Sequence, residues 1–152
     1  MKLAILIIGE QNSGKTSTIK HLVNANSNKS LSVMKAGWQS IFLNQAFKYL
    51  KLILFCVPAS PTETKKPLSV RFAGFIPEVL IVAEQLNGLN HQNTDSFLIS
   101  NNYTVLRYNI DNIIGSSDWQ RFDRNNELLK LNNRTNEIIN DIKKFIITNQ
   151  IV

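Results

Sequence analysis

Gly9-Glu10-Gln11-Asn12-Ser13-Gly14-Lys15-Thr16 is the stretch on which the reading of this chain turns. It spells G-x-x-x-x-G-K-T, and its flanks matter as much as its letters. Leu3-Ala4-Ile5-Leu6-Ile7-Ile8 comes before it, an unbroken apolar run of strand length. Ser17-Thr18-Ile19-Lys20-His21-Leu22-Val23 follows it and reads as the opening of a helix. A buried strand over 2–8 would fix the loop, and a helix over 14–25 would turn its positive end and its free amides toward an anion. In that arrangement the backbone N–H groups of Gly9–Thr16 wrap a polyphosphate, Lys15 reaches the β- and γ-phosphates, and the Thr16 hydroxyl holds Mg²⁺. Residues 9–17, including Glu10, Gln11, Asn12, Ser13, Gly14 and Ser17, are therefore the candidate nucleotide-binding residues.

This strand–loop–helix unit resembles the P-loop NTPase superfamily through its Walker A sequence, over about the first 25 residues. The resemblance implies a nucleoside triphosphate, ATP or GTP, as ligand and Mg²⁺ as its companion. It names a ligand class and leaves the reaction open.

The rest of the chain supports an α/β reading. Residues 48–56 alternate, with Leu50, Leu52, Leu54 and Cys56 on one face, the period of a strand. Residues 38–44 are either its hairpin partner, turning near Asn44–Ala46, or an amphipathic helix leading into it; the hairpin is slightly preferred. Ser60-Pro61-Thr62-Glu63 is a helix start, with Ser60 as cap, Pro61 at the first position and Glu63 closing a capping box. Pro67 keeps that helix short. Glu78–Ala83 is a buried strand, His91–Ser100 a helix and Tyr103–Tyr108 the last strand. From Ser117 the chain turns helical, with Ser117 and Gln120 as a second capping pair. Leu128, Leu131, Ile138, Ile142 and Phe145 form its apolar stripe, widened by Leu129, Ile139 and Ile146. Strands alternating with helices predict one domain over 1–152. Its fold would be a three-layer P-loop sandwich on a mostly parallel sheet of about five strands, with one antiparallel hairpin where 38–57 pairs.

A working NTPase also needs an acid at the tip of a core strand. The strand ending at Val57 runs into Pro58-Ala59-Ser60 with no Asp, whereas the strand Val79–Ala83 ends in Glu84. Glu84 is thus the candidate for orienting water or holding Mg²⁺ beside Thr16, with Asp111 second, and Lys15 is the charge-stabilising catalytic group. A hairpin layout resembles the small GTPase branch, which carries Asp-x-x-Gly and Asn-Lys-x-Asp. Cys56-Val57-Pro58-Ala59 and Ala83-Glu84-Gln85-Leu86 stand in those places. A helical 38–50 would resemble small nucleoside or metabolite kinases. Arg71 is then the arginine placed to approach phosphates, and Arg121, Arg124 and Arg134 are read as solvent-exposed. Three functions stay open: a slow NTPase, a small-molecule kinase-like phosphotransferase, and a non-catalytic nucleotide-binding interaction protein.

Composition narrows the partners. The 152 residues carry 17 Lys/Arg against 11 Asp/Glu, and residues 1–75 hold ten of the bases against two acids. Such a basic half can attract nucleic acid, but it equally suits a solvated face and the charge of a bound nucleotide, and the latter is preferred. A protein partner is compatible with the chain. No apolar run reaches transmembrane length, and the Leu3–Ile8 run is too short for a signal peptide, so no membrane association is expected. The single cysteine, Cys56, points to a reducing, cytoplasmic compartment and, like Trp38 and Trp119, is read as a packing residue.

Overall fold

The computed structural model describes residues 2–45, 48–85, 89–111, 119–121 and 125–149. Ser117 and Arg124 lie outside them. The described chain runs β1 (Leu3–Ile8), α1 (Lys15–Ala25), β2 (Gly37–Gln45), β3 (Lys48–Val57), α2 (Pro61–Thr64), α3 (Leu68–Arg71), β4 (Val79–Glu84), α4 (Leu89–Ser100), β5 (Thr104–Asp111), β6 (Trp119–Gln120) and α5 (Glu127–Thr148). It is a mixed α/β fold on one six-stranded sheet, ordered β2-β3-β4-β1-β5-β6. Among the described strands only the β2–β3 pair is antiparallel, from Gly37↔Cys56 to Gln45↔Lys48, so residues 38–45 are a hairpin strand and not a helix.

β1 and β4 are buried along their whole length, and both read as continuous apolar runs because parallel central strands are covered on both faces. Alternation divides β1 between two cores. Leu3, Ile5 and Ile7 join Ile19, Leu22 and Val23 of α1 and Ile138, Ile139, Ile142 and Ile146 of α5. Ala4, Leu6 and Ile8 join Leu68 and Phe72 beside α3 and Phe97 and Leu98 of α4. The helix after β1 therefore packs on one face of the sheet and the helix after β4 on the other. Between them, at the carboxyl ends of β1 and β4, the layers part, which is where open α/β sheets leave a crevice.

Three expectations change. A sixth strand, β6, pairs in parallel with β5 through Ile110↔Trp119 and Asp111↔Gln120, so Gln120 is a strand residue and not part of a helix cap. Trp119 stacks on Tyr108 at 4.8 Å between ring centroids, a tertiary contact that outweighs the local capping pattern. The helix starts at Glu127, and Leu128 and Leu129 are 65% and 64% exposed, outside the core that Leu131 enters. The Ser60 cap is present as read: its Oγ accepts from the Glu63 amide at 3.1 Å.

Candidate functional site

Where β1 ends, the Gly9 amide still donates to Glu84 O at 3.0 Å, extending the β1–β4 ladder by one bond. The chain then turns sharply, with Ser13 N–H bonded to Glu10 O at 3.2 Å. Asn12 (φ 62°) and Gly14 (φ 94°) both adopt the left-handed region, which asparagine tolerates and glycine enters freely. Gly14 caps α1 with no side-chain acceptor, and the first turn of α1 holds no acid. The leading amides of α1 accordingly have neither an intrahelical partner nor a side-chain cap, and they open on a cleft of about 320 Å³. Gln11, Asn12, Ser13, Gly14, Lys15, Thr16, Ser17 and Glu63 line it.

Lys15 is 5% exposed. Its ammonium donates to Gly9 O and Glu10 O, both at 2.8 Å, and stands 3.8 Å from Glu63 Oε1. Burial holds its pKa below the usual lysine value; the charges of Glu63 and Glu84 work against that shift and Arg121 adds to it. Two of the three ammonium protons are thus committed to the loop's own carbonyls, and the third has the Glu63 carboxylate as its nearest partner. The Thr16 hydroxyl donates to Pro58 O at 2.6 Å, tying α1 to the end of β3. With its proton engaged there, its lone pairs are left for a cation or a ligand.

Glu84 has a different environment from the one its position at a strand tip predicts. Its side chain is fully buried, and its carboxylate accepts from Thr62 Oγ1 (3.0 Å), Thr94 Oγ1 (2.8 Å) and its neighbour's amide, Gln85 N (2.8 Å). It pins α2 and α4 to β4 and does not line the cleft. Glu63 faces the cleft instead. In the sequence its one legible role is to close the capping box on Ser60. Only half of that box forms: the amide bonds Ser60, but the carboxylate takes Gln85 Nε2 at 3.0 Å and turns to Lys15.

One arginine departs from its reading as well. Arg134 is buried at 3% exposure, not solvent-facing. It donates to Thr18 Oγ1 at 3.0 Å and to Gln120 O, and its guanidinium lies over the Trp119 ring at 5.3 Å. Burial pushes its pKa down to about 10. Arg121 is exposed, as expected from the sequence, but engaged, donating to Gln11 O at 3.0 Å and standing 3.5 Å from Glu10 Oε2. Arg71 and Asp111 are not among the cleft-lining residues. Neither arginine contact has a signal in the sequence, since both bridge more than 100 residues. Among the described residues, no cluster of three or more His, Cys, Asp or Glu side chains forms a metal cage, and no helix is long and apolar enough to cross a membrane.

No family model, curated protein or solved structure matches this chain.

Proposed function

We propose that this chain is a Mg²⁺-dependent nucleoside-triphosphate-binding protein with the three-layer architecture of P-loop proteins, and a slow NTPase. One observation carries the reading. Uncapped helix-end amides and a buried lysine converge on a single cleft at the carboxyl edge of a parallel sheet. Amides in that position bind anions through direct hydrogen bonds and through the helix dipole, and Lys15 adds a full charge that the site has partly stripped of water.

The donor set fits Mg²⁺ in the manner typical of nucleotide sites. This ion keeps most of its waters and takes one or two protein oxygens plus phosphate oxygens, so no all-protein cage is required. Thr16 Oγ1 supplies one such oxygen, and the Glu63 carboxylate is the acid at hand, directly or through water. When bound, Mg²⁺ would neutralise charge on the terminal phosphate oxygens. Glu63 takes over the water-orienting role first assigned to Glu84, because the Glu84 oxygens already accept three bonds. Glu84 then acts at one remove, holding the strand end from which Gln85 reaches Glu63.

Slow turnover follows from the lining. Among the described residues Lys15 is its one cation and Glu63 its one acid, and fast phosphoryl transfer draws on a second cation at the transition state. A non-catalytic binder is the runner-up reading, favoured by the complete engagement of Glu84. A reducing, cytoplasmic setting suits the buried thiol of Cys56.

Lys15→Ala tests the reading. The variant should stay cooperatively folded, with its own unliganded melting temperature as baseline, and lose the thermal shift that Mg-ATP or Mg-GTP gives the wild type. At a ligand concentration a hundredfold above Kd that shift corresponds to about 2.7 kcal/mol. An unchanged shift in Lys15→Ala would overturn the assignment. Phosphate release from the wild type without an added acceptor separates the NTPase from the phosphotransferase and from the silent binder.

A further inference from the structure

The loop is held from behind at two points, and both tethers come from the last third of the chain. At one end Arg121, just past β6, donates to Gln11 O at 3.0 Å. At the other, Gly14 O accepts twice from Thr18, from its amide at 3.0 Å and from its hydroxyl at 2.6 Å. The same Thr18 oxygen accepts from Arg134 Nη1 of α5 at 3.0 Å. Arg134 also bonds Gln120 O, which anchors the two-residue strand leading into Arg121.

The chemistry of this chain of bonds is directional. A hydroxyl has a single proton to give, and an arginine can only donate. Arg134 therefore occupies a lone pair of Thr18 Oγ1 and leaves its proton to point at Gly14 O. A hydroxyl polarised by a cation is also the better donor, which suits the short 2.6 Å contact. Fixing the Gly14 carbonyl fixes the plane of the Gly14–Lys15 peptide, since the amide is planar. The Lys15 N–H lies in that plane on the opposite side and belongs to the helix-end amides that open on the cleft. The Thr18 amide and the Thr18 hydroxyl hold this plane together. At φ 94° Gly14 uses the freedom peculiar to glycine, and the same freedom lets the peptide turn.

We propose that Thr18 and Arg134 are positioning residues of the anion-binding loop, which set the direction of the Lys15 amide through the Gly14 carbonyl. Neither touches the ligand. Both act on its affinity, and they make the loop's shape depend on the docking of β6 and α5. The inference rests on the phosphate-binding reading above.

Titration calorimetry with Mg-ATP and with Mg-pyrophosphate, on wild type, Thr18→Ser, Thr18→Val and Arg134→Lys, tests it. Thr18→Val keeps the shape and loses the hydroxyl, and its Kd should rise about tenfold or more. Thr18→Ser restores the hydroxyl and should bind within about threefold of wild type, a rescue that lost packing alone would not produce. Arg134→Lys keeps the charge but cannot span Thr18 and Gln120 together, and it should weaken binding by a similar factor to Thr18→Val. A folded Thr18→Val with wild-type affinity overturns the proposal. Should that variant fail to fold, wild-type affinity in Arg134→Lys does so instead. A wild type that binds neither probe takes down the phosphate reading, and this inference with it. A wild type that binds both, with all three variants equal to it, sinks the positioning role alone.

Discussion

Gly9 has no room for a side chain, because Ser13 folds back over it. A Cβ built on Gly9 would stand 2.4 Å from Ser13 Oγ and 3.1 Å from Ile110 Cβ. The loop turns within its own van der Waals envelope, so Gly9→Ala forces either Ser13 or β5 to shift. Overpacking of this kind costs about 1–3 kcal/mol. Ser13 Oγ is buried with no hydrogen-bond partner among the described residues, so Ser13→Ala alone should be close to neutral. Combined with Gly9→Ala it should recover part of the loss, leaving the contacts with Ile110 Cβ and, at 3.2 Å, the Cβ of residue 13. Urea denaturation of the two single variants and the double variant measures that coupling, and a neutral Gly9→Ala would refute the steric account. The cleft-lining stretch from Gln11 to Ser17 was legible because a loop between a buried strand and a helix is built from consecutive residues. The acid was not. Glu84 and Glu63 each have a plausible local role in the sequence, and only their surroundings separate them. Thr62 and Thr94 close around the first, while Gln85 draws the second out of its cap toward Lys15.

α5 shows where periodicity stops being informative at the level of an element. The apolar steps from Leu128 to Ile146 describe one stripe, but the sheet covers only part of it. Ile138, Ile142 and Ile146 are fully buried, whereas Leu128 and Leu129 extend past the core into solvent. An amphipathic pattern reports which face of a helix is apolar, and the extent of the opposing surface is settled elsewhere in the chain. The same contact map explains β6. A two-residue strand has no period of its own, and it exists because Trp119 stacks on Tyr108 and Arg134 holds Gln120 O. The hairpin and the buried central strands, by contrast, were readable from alternation and from unbroken apolar runs. Ile142→Ala should cost about 2–5 kcal/mol, the usual penalty for emptying a packed aliphatic site. Leu128→Ala should stay within about 0.5 kcal/mol of wild type. Matched chemical denaturation curves decide between this picture and a uniformly buried helix, for which the two losses would be alike.

Across the whole molecule, proton-releasing groups that would ionise freely in the unfolded chain are enclosed in the two cores. Cys56 and Tyr103 are both pushed up to about 12 by burial. Tyr108 is raised further still, by burial first, then by its hydrogen bond to Asp141 Oδ2 at 2.6 Å and by the charges of Asp141 and Glu137. The sign of the consequence is fixed by linkage. Above pH 10 the unfolded chain gives up the Tyr108 proton while the folded chain keeps it, so the unfolded state is favoured as pH rises. The stability that the neutral phenol contributes is complete below pH 10 and drains away through the alkaline range. Lys15 runs the other way, since its lowered pKa lets the folded state lose that proton first. A raw alkaline unfolding curve mixes these opposing slopes. Comparing wild type with Tyr108→Phe isolates one of them, because the variant keeps the ring that stacks on Trp119 and lacks only the titrating hydroxyl. The stability difference between the two proteins should be constant from pH 7 to 9. It should then shrink by about 1.4 kcal/mol for each pH unit beyond 10. Urea midpoints measured at intervals up to pH 11.5 give that difference directly. A gap that stays level or widens would mean that Tyr108 ionises as readily inside the fold as outside it. That result would remove the closed contact between β5 and α5 on which the placement of β6, and through Arg134 the back of the Gly9–Thr16 loop, depends.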